Sequence, residues 1–121
     1  MAQLPRPALS AAHRVEQFLQ KEYTRTWTLN TLASQFEISG IELKDAFREY
    51  TGTDIPQYIN RLRVARAAEL LRPGVRIAEV AFAVGYNSSN SFVDAFEQIM
   101  GMLPSEYRNT RSDNSSNESA A

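Results

Sequence analysis

The tripeptide Asp-Ala-Phe occurs twice, at Asp45-Ala46-Phe47 and at Asp94-Ala95-Phe96, and the residues on either side of each copy also correspond. Leu32-Ala33 and Phe36 precede the first copy as Val80-Ala81 and Val84 precede the second, and Leu43 leads into Phe47 as Phe92 leads into Phe96. Downstream, Gly52 follows Phe47 at the distance at which Gly101 follows Phe96; then come Pro56 and Tyr58, or Pro104 and Tyr107. Such an internal repeat restricts the fold to two similar helical units.

With 121 residues the chain has room for one domain, or two small subdomains sharing a core, and not for a separate catalytic or effector-sensing domain. Apolar residues at 43% and charged residues at 22% are ordinary for a soluble globular protein, and no apolar run is long enough to cross a membrane. The first ten residues lack the pattern of a secretory signal, and cysteine is absent, which suits a reducing compartment. A cytoplasmic location is the expectation.

The missing residue types narrow the chemistry. Without cysteine, and with His13 as the only imidazole, no zinc or thiol site can be assembled. A glycine-rich loop ending in Lys-Ser or Lys-Thr is absent, which removes a P-loop. A serine nucleophile would need a base, and His13 lies in a polar stretch that suits a solvated or helix-capping histidine. Glu42 and Asp45 are a carboxylate pair of the kind that usually forms a solvated helix face. The expectation is a chain that is not an enzyme and carries no cofactor and no metal.

Local patterns predict an all-α fold of about seven helices. Residues 1–9 contain Pro5 and Pro7 and little periodicity, which predicts a flexible lead-in. Ser10 is then expected to cap a first helix with Val15, Phe18 and Leu19 at helical spacing. Thr28 suits the cap of a second, short helix carrying Leu29, Leu32, Ala33 and Phe36, and Ser39-Gly40 opens a third carrying Leu43, Ala46, Phe47 and Tyr50. Thr53 or Asp54 caps a long fourth helix over about 54–72, which tolerates Pro56 in its first turn and ends at Pro73-Gly74. That helix would be on the order of 27 Å long at about 1.5 Å per residue. A fifth helix is expected over about 77–84 and a sixth over about 89–99, with Gly85 between them; Leu103-Pro104 starts a last turn to Arg108. From Asn109 to the end the chain is polar and predicts a disordered tail.

A short helix with a small residue facing its partner, a brief turn, and a second helix with apolar residues one turn apart is the helix-turn-helix pattern. Ala33 and Ala81 are the small residues, since a larger side chain would push the crossing helices apart. Gly85 suits a left-handed turn conformation, whereas the first unit has Glu37 there. The first helix-turn-helix would span about 28–50 and the second about 76–99.

Over about 14–108 the chain resembles the DNA-binding domain of the AraC/XylS family of bacterial transcription regulators. The most specific residues are Ile77-x-Glu79-Val80-Ala81, Val84-Gly85-Tyr86, Ser91-Phe92, Phe96, and Gly101-x-x-Pro104-x-x-Tyr107-Arg108. The first half adds Leu29-x-x-Leu32-Ala33, Ser39, Leu43, Phe47, Gly52, Tyr58, Leu62-Arg63 and Ala67-x-x-Leu70-Leu71. The resemblance implies two helix-turn-helix units joined by a linker helix, with a recognition helix from each entering successive major-groove segments of double-stranded DNA, whose turn is about 34 Å. It also implies that Ile41, Lys44 and Asp45 in one unit, and Ser89, Asn90, Val93 and Asp94 in the other, face base edges, while Arg48, Arg63 and Arg76 meet phosphates. Partial burial is the competing reading for Ile41 and Val93, helix capping for Asn87, Ser88, Ser89 and Asn90, favoured for Asn87 and Ser88 and not for Asn90, and an internal ion pair for Arg63.

Both aspartates of the repeat stand where the family commonly has arginine, and Glu97 where lysine is common. Asp can only accept, for example from cytosine N4, while repelling the backbone. At an effective dielectric of about 20 and roughly 5 Å, one carboxylate and one phosphate repel by about 3 kcal/mol before screening. The formal net charge of −1 points the same way, although Lys44, Arg48, Arg61, Arg63, Arg66, Arg72 and Arg76 can still form a basic stripe. Arg48, one turn after Asp45, would partly offset it.

The expected function is sequence-specific DNA binding by a transcription regulator, either stand-alone or the C-terminal piece of a longer one, with RNA polymerase or another regulator as a further partner. The alternative is a degenerate helix-turn-helix module with weak or no DNA affinity that acts through protein–protein interaction.

Overall fold

The structure is a computed structural model, and it describes residues 6–110. Six helices follow in order: α1 (Arg6–Glu22), α2 (Leu29–Gln35), α3 (Gly40–Thr51), α4 (Ile55–Leu70), α5 (Ile77–Ala83) and α6 (Ser89–Met100). Residues 104–110 form a seventh, α7, and no strand occurs among the described residues. The chain is all-α, as the repeat and the spacing of apolar residues predict. It divides into two compact units between Asn60 and Arg61, a division that falls inside α4.

In the first unit α1 and α2 both pack on α3. The buried stripe of α1 is Ala8, Ala11, Ala12, Val15 and Leu19, and it meets a core of Leu32, Ala33, Leu43, Ala46 and Phe47. Three alanines in that stripe keep the helix surface low, so that α1 can lie close to its neighbours. The helix begins at Arg6, not at Ser10, and Ser10 is exposed within it. The reason is that Pro7 sits in the first turn, where no intrahelical partner is lost, and Ala8 is already buried. The rest of the expected lead-in, residues 1–5, lies outside the described residues. Phe18 is half-buried and packs edge-to-face on Trp27 and Phe36 at ring distances of 5.0 and 5.4 Å.

Helix α4 starts on the cap of Asp54, whose Oδ1 accepts from the backbone N–H of Gln57 at 2.9 Å. Ile55 and Ile59 are buried at its start, and Val64 and Ala67 farther along. In the second unit α5 packs on α6, and the core comprises Val64, Ala67, Leu71, Val80, Ala81, Val84, Tyr86, Phe92, Ala95 and Phe96. Helix α7 is fixed from both ends. The backbone N–H of Leu103 donates to Glu106 Oε1 at 2.9 Å, and Arg108 Nη1 donates to the Val75 carbonyl at 2.9 Å. It continues through Thr110, two residues past the expected end, with Thr110 Oγ1 donating to the Glu106 carbonyl at 3.0 Å. The remainder of the predicted tail, 111–121, lies outside the described residues.

The repeat is visible in the packing as well as in the sequence. Tyr58 meets Phe47 edge-to-face at 5.3 Å in one unit, and Tyr107 meets Phe96 edge-to-face at 5.6 Å in the other. Both phenylalanines are fully buried, each stabilising its unit by about 1.5–3 kcal/mol through burial alone.

Candidate functional site

Each unit contains one helix pair joined by a tight turn. Between α2 and α3 the turn is residues 36–39, and between α5 and α6 it is residues 84–88, one residue longer. Ala33 and Ala81 are both buried, as expected for the small residues of a helix-turn-helix pair. Both turns pass through a left-handed residue, Glu37 at φ 57° and Gly85 at φ 111°. The first unit therefore adopts this conformation without glycine.

A serine then sets the start of the second helix in each pair. Ser39 Oγ accepts from the Glu42 backbone N–H at 3.1 Å and donates to Glu42 Oε1 at 3.1 Å, so the carboxylate holds the capping hydroxyl in place. Ser88 Oγ accepts from the Ser91 backbone N–H at 3.2 Å. Asn87, the other residue expected to cap, is not the capping residue. Left-handed glycines end both helices, Gly52 at φ 83° and Gly101 at φ 78°. Helices α3 and α6 are thus delimited in the same way, and equivalent positions can be compared one by one.

On α3, Leu43, Ala46 and Phe47 are buried, while Ile41, Lys44, Asp45 and Arg48 are exposed at i, i+3, i+4 and i+7. Ile41 is 77% exposed, so the alternative reading of partial burial does not hold. On α6, Phe92, Ala95 and Phe96 are buried; Asn90 and Asp94 are exposed, and Ser89 and Val93 are half-buried. Glu97 completes the equivalent face. The residues singled out from the sequence therefore group into two faces, one per unit: Ile-Lys-Asp-Arg on α3 and Asn-Val-Asp-Glu on α6.

The cations differ in their surroundings. Arg48 pairs with Asp54 at 4.0 Å and not with Asp45, because its side chain runs toward the cap of α4 instead of back along α3. Arg76 pairs with Glu79 at 3.9 Å. Both pairs are long and exposed, of a kind contributing about 0–1 kcal/mol, and are easily exchanged for another anion. Arg63 is different: it is half-buried, with its guanidinium 5.0 Å from the centroid of the Tyr86 ring. Burial lowers the Arg63 pKa and raises that of the Tyr86 hydroxyl, each partly countered by the other group. Arg63 therefore braces the second unit by stacking, a setting unlike that of the exposed Arg48 and Arg76, with which the resemblance grouped it. No sequence signal reveals that stacking, since Arg63 and Tyr86 are distant in the chain. Lys44, Arg61 and Arg72 are exposed and form no ion pair among the described residues.

Among the described residues no group of three or more His, Cys, Asp or Glu side chains is placed to hold a metal ion. No described helix is long and apolar enough to cross a membrane.

A helix-turn-helix domain family matches residues 32–110. The chain is 33% identical over 106 residues to the HTH-type transcriptional activator RhaR of Pectobacterium atrosepticum, covering 84% of this chain and 37% of that protein. It is 34% identical over 91 residues to an AraC-like transcription regulator of Streptomyces lividans, covering 74% of this chain and 30% of that protein. The chain spans only 30–37% of the length of these relatives. Among solved structures, the C-terminal domain of AraT, a response regulator from Geobacillus stearothermophilus, superposes with a TM-score of 0.78 at 29% identity, covering 90% of this chain and 88% of that one. The DNA-binding domain of AdpA, in complex with a target DNA, shares the fold with a TM-score of 0.79 at 24% identity, covering 86% of this chain and 95% of that one. The matched region runs from the first core leucine of α2 to the end of α7, and the chain belongs to the AraC-type family of helix-turn-helix proteins.

Proposed function

We propose that the chain is a sequence-specific DNA-binding transcription regulator, a binding module and not an enzyme, whose helices α3 and α6 read successive major-groove segments. The observation that carries this reading is Ile41: a large aliphatic side chain, 77% exposed, beside Lys44 and Asp45 on a helix whose opposite side is fully packed. Exposure of that kind has no internal use, whereas an aliphatic group among polar ones at the start of a capped helix suits contact with a thymine methyl. Lys44 would donate to guanine, Asn90 would pair with adenine, and Ser89 and Val93 would line the second contact. Arg48 and Arg76, held only by long exposed ion pairs, would turn to phosphates. The names of RhaR as a transcriptional activator and of the AdpA domain as bound to a target DNA support the same reading. RNA polymerase or another regulator as a further partner, and a cytoplasmic setting, belong with it.

The test is a titration against one duplex at several salt concentrations. The logarithm of the association constant should fall linearly with the logarithm of salt, and Arg48→Ala and Arg76→Ala should each reduce the slope by about 0.9. Absence of binding at low salt would contradict the proposal.

A further inference from the structure

Of the four positions on the exposed faces of α3 and α6, three differ between the units and one does not. Ile41 corresponds to Asn90, Lys44 to Val93 and Arg48 to Glu97, but Asp45 corresponds to Asp94. Each aspartate lies six residues after its capping serine and immediately before a buried Ala-Phe pair. Both are exposed, neither caps a helix, and neither forms an ion pair among the described residues. Among the described residues nothing in either unit uses the carboxylates.

We infer that Asp45 and Asp94 are specificity determinants that each accept a hydrogen bond from the N4 amino group of a cytosine, one in each half of the bound site. This rests on the DNA-reading function proposed above. A carboxylate can only accept, and the major groove offers two donors, the cytosine N4 and adenine N6 amino groups. The adenine amino group is flanked by acceptors on both sides, its own N7 and the O4 of the paired thymine. The cytosine amino group has the guanine O6 on one side and the weakly positive C5–H on the other. A carboxylate has two negative oxygens, so the second one is repelled at adenine and tolerated at cytosine. Guanine and thymine edges present acceptors at that position and repel both oxygens. The phosphates repel the carboxylate wherever it lies, so an aspartate without an amino partner actively disfavours binding, and discrimination arises by repulsion as well as by attraction. Because the aspartate is the one residue common to both faces, cytosine is the base common to both halves of the site.

The test is selection from a random duplex pool with the full chain, its Asp45→Asn variant and its Asp94→Asn variant. Asparagine has the same shape but pairs bidentately with adenine N6 and N7. The wild type should enrich a site with one required C·G pair in each half. Each variant should change one of those cytosines to adenine and leave the other, and direct competition should show a preference reversal of about tenfold, the size of an ordinary single mismatch. Unchanged thermal midpoints would accompany this, since both side chains are exposed. If all three proteins enrich the same site, the assignment of the aspartates is wrong while the DNA-reading function stands. If the wild type enriches no site, the DNA-reading function itself fails and this inference with it.

Discussion

The Arg63 guanidinium lies over the Tyr86 ring, 5.0 Å from its centroid, and so ties α4 to the residue that precedes the Asn87-Ser88 approach to α6. A half-buried cation stacked on an aromatic face contributes about 1–2 kcal/mol, and its aliphatic stem covers apolar surface besides. Arg63→Ala should therefore lower the stability of the chain by about that amount in chemical denaturation. The salt slope of DNA binding should not change, whereas a lost phosphate contact would reduce it by about 0.9.

Alkaline pH should destabilise the fold through two tyrosines. Burial raises the pKa of Tyr58 and of Tyr86, so the folded chain holds protons that the unfolded chain releases near the ordinary phenol value of about 10. The stability linked to these two groups is fully present below about pH 10 and is lost as pH rises through the higher folded values. Tyr58 also donates to Glu16 Oε2 at 2.9 Å, an interaction that ionisation would turn into repulsion. Denaturation midpoints measured below and above about pH 10 should fall for the wild type, and less steeply for Tyr86→Phe.

Glu37 occupies left-handed backbone at φ 57°, a conformation strained for a residue with a Cβ, at the place where the second unit has Gly85. Glu37→Gly should stabilise the chain by about 0.5–1 kcal/mol, read as a higher denaturation midpoint with an unchanged denaturant slope. A lower midpoint would mean that the Glu37 side chain supplies an interaction that outweighs the strain.

Glu37 also marks where sequence reading reaches its limit. The repeat, the helix pairs, the Ser39 and Ser88 caps and the exposed positions of α3 were legible because spacing, capping chemistry and glycine preference are local. The turn at Glu37 was legible only as a missing glycine, since tertiary packing there overrides the residue's own preference. The early start of α1 was hidden because Pro7 reads as a breaker, and only the burial of Ala8 shows that it lies in a first turn. The stacking of Arg63 on Tyr86, and the choice of Asp54 over Asp45 by Arg48, depend on where side chains travel in space. Periodicity along the chain carries no information about that.

The two caps should act alike. Ser39→Ala and Ser88→Ala each leave a helix N–H without its acceptor and should each cost about 1 kcal/mol of stability. Each should also weaken DNA binding, because the start of α3 or α6 frays. Restoration by Ser39→Asp and Ser88→Asp in denaturation experiments would confirm that the cap and not the hydroxyl alone is responsible.

The central claim is that α3 and α6 both lie in the major groove, and methylation interference at guanine N7, a major-groove atom, tests it directly. On a duplex recovered by selection, the wild type should show two separate patches of interference. Ile41→Glu should abolish one patch and Asn90→Glu the other. A single patch unaffected by one of these variants, or interference confined to minor-groove positions, would contradict the account.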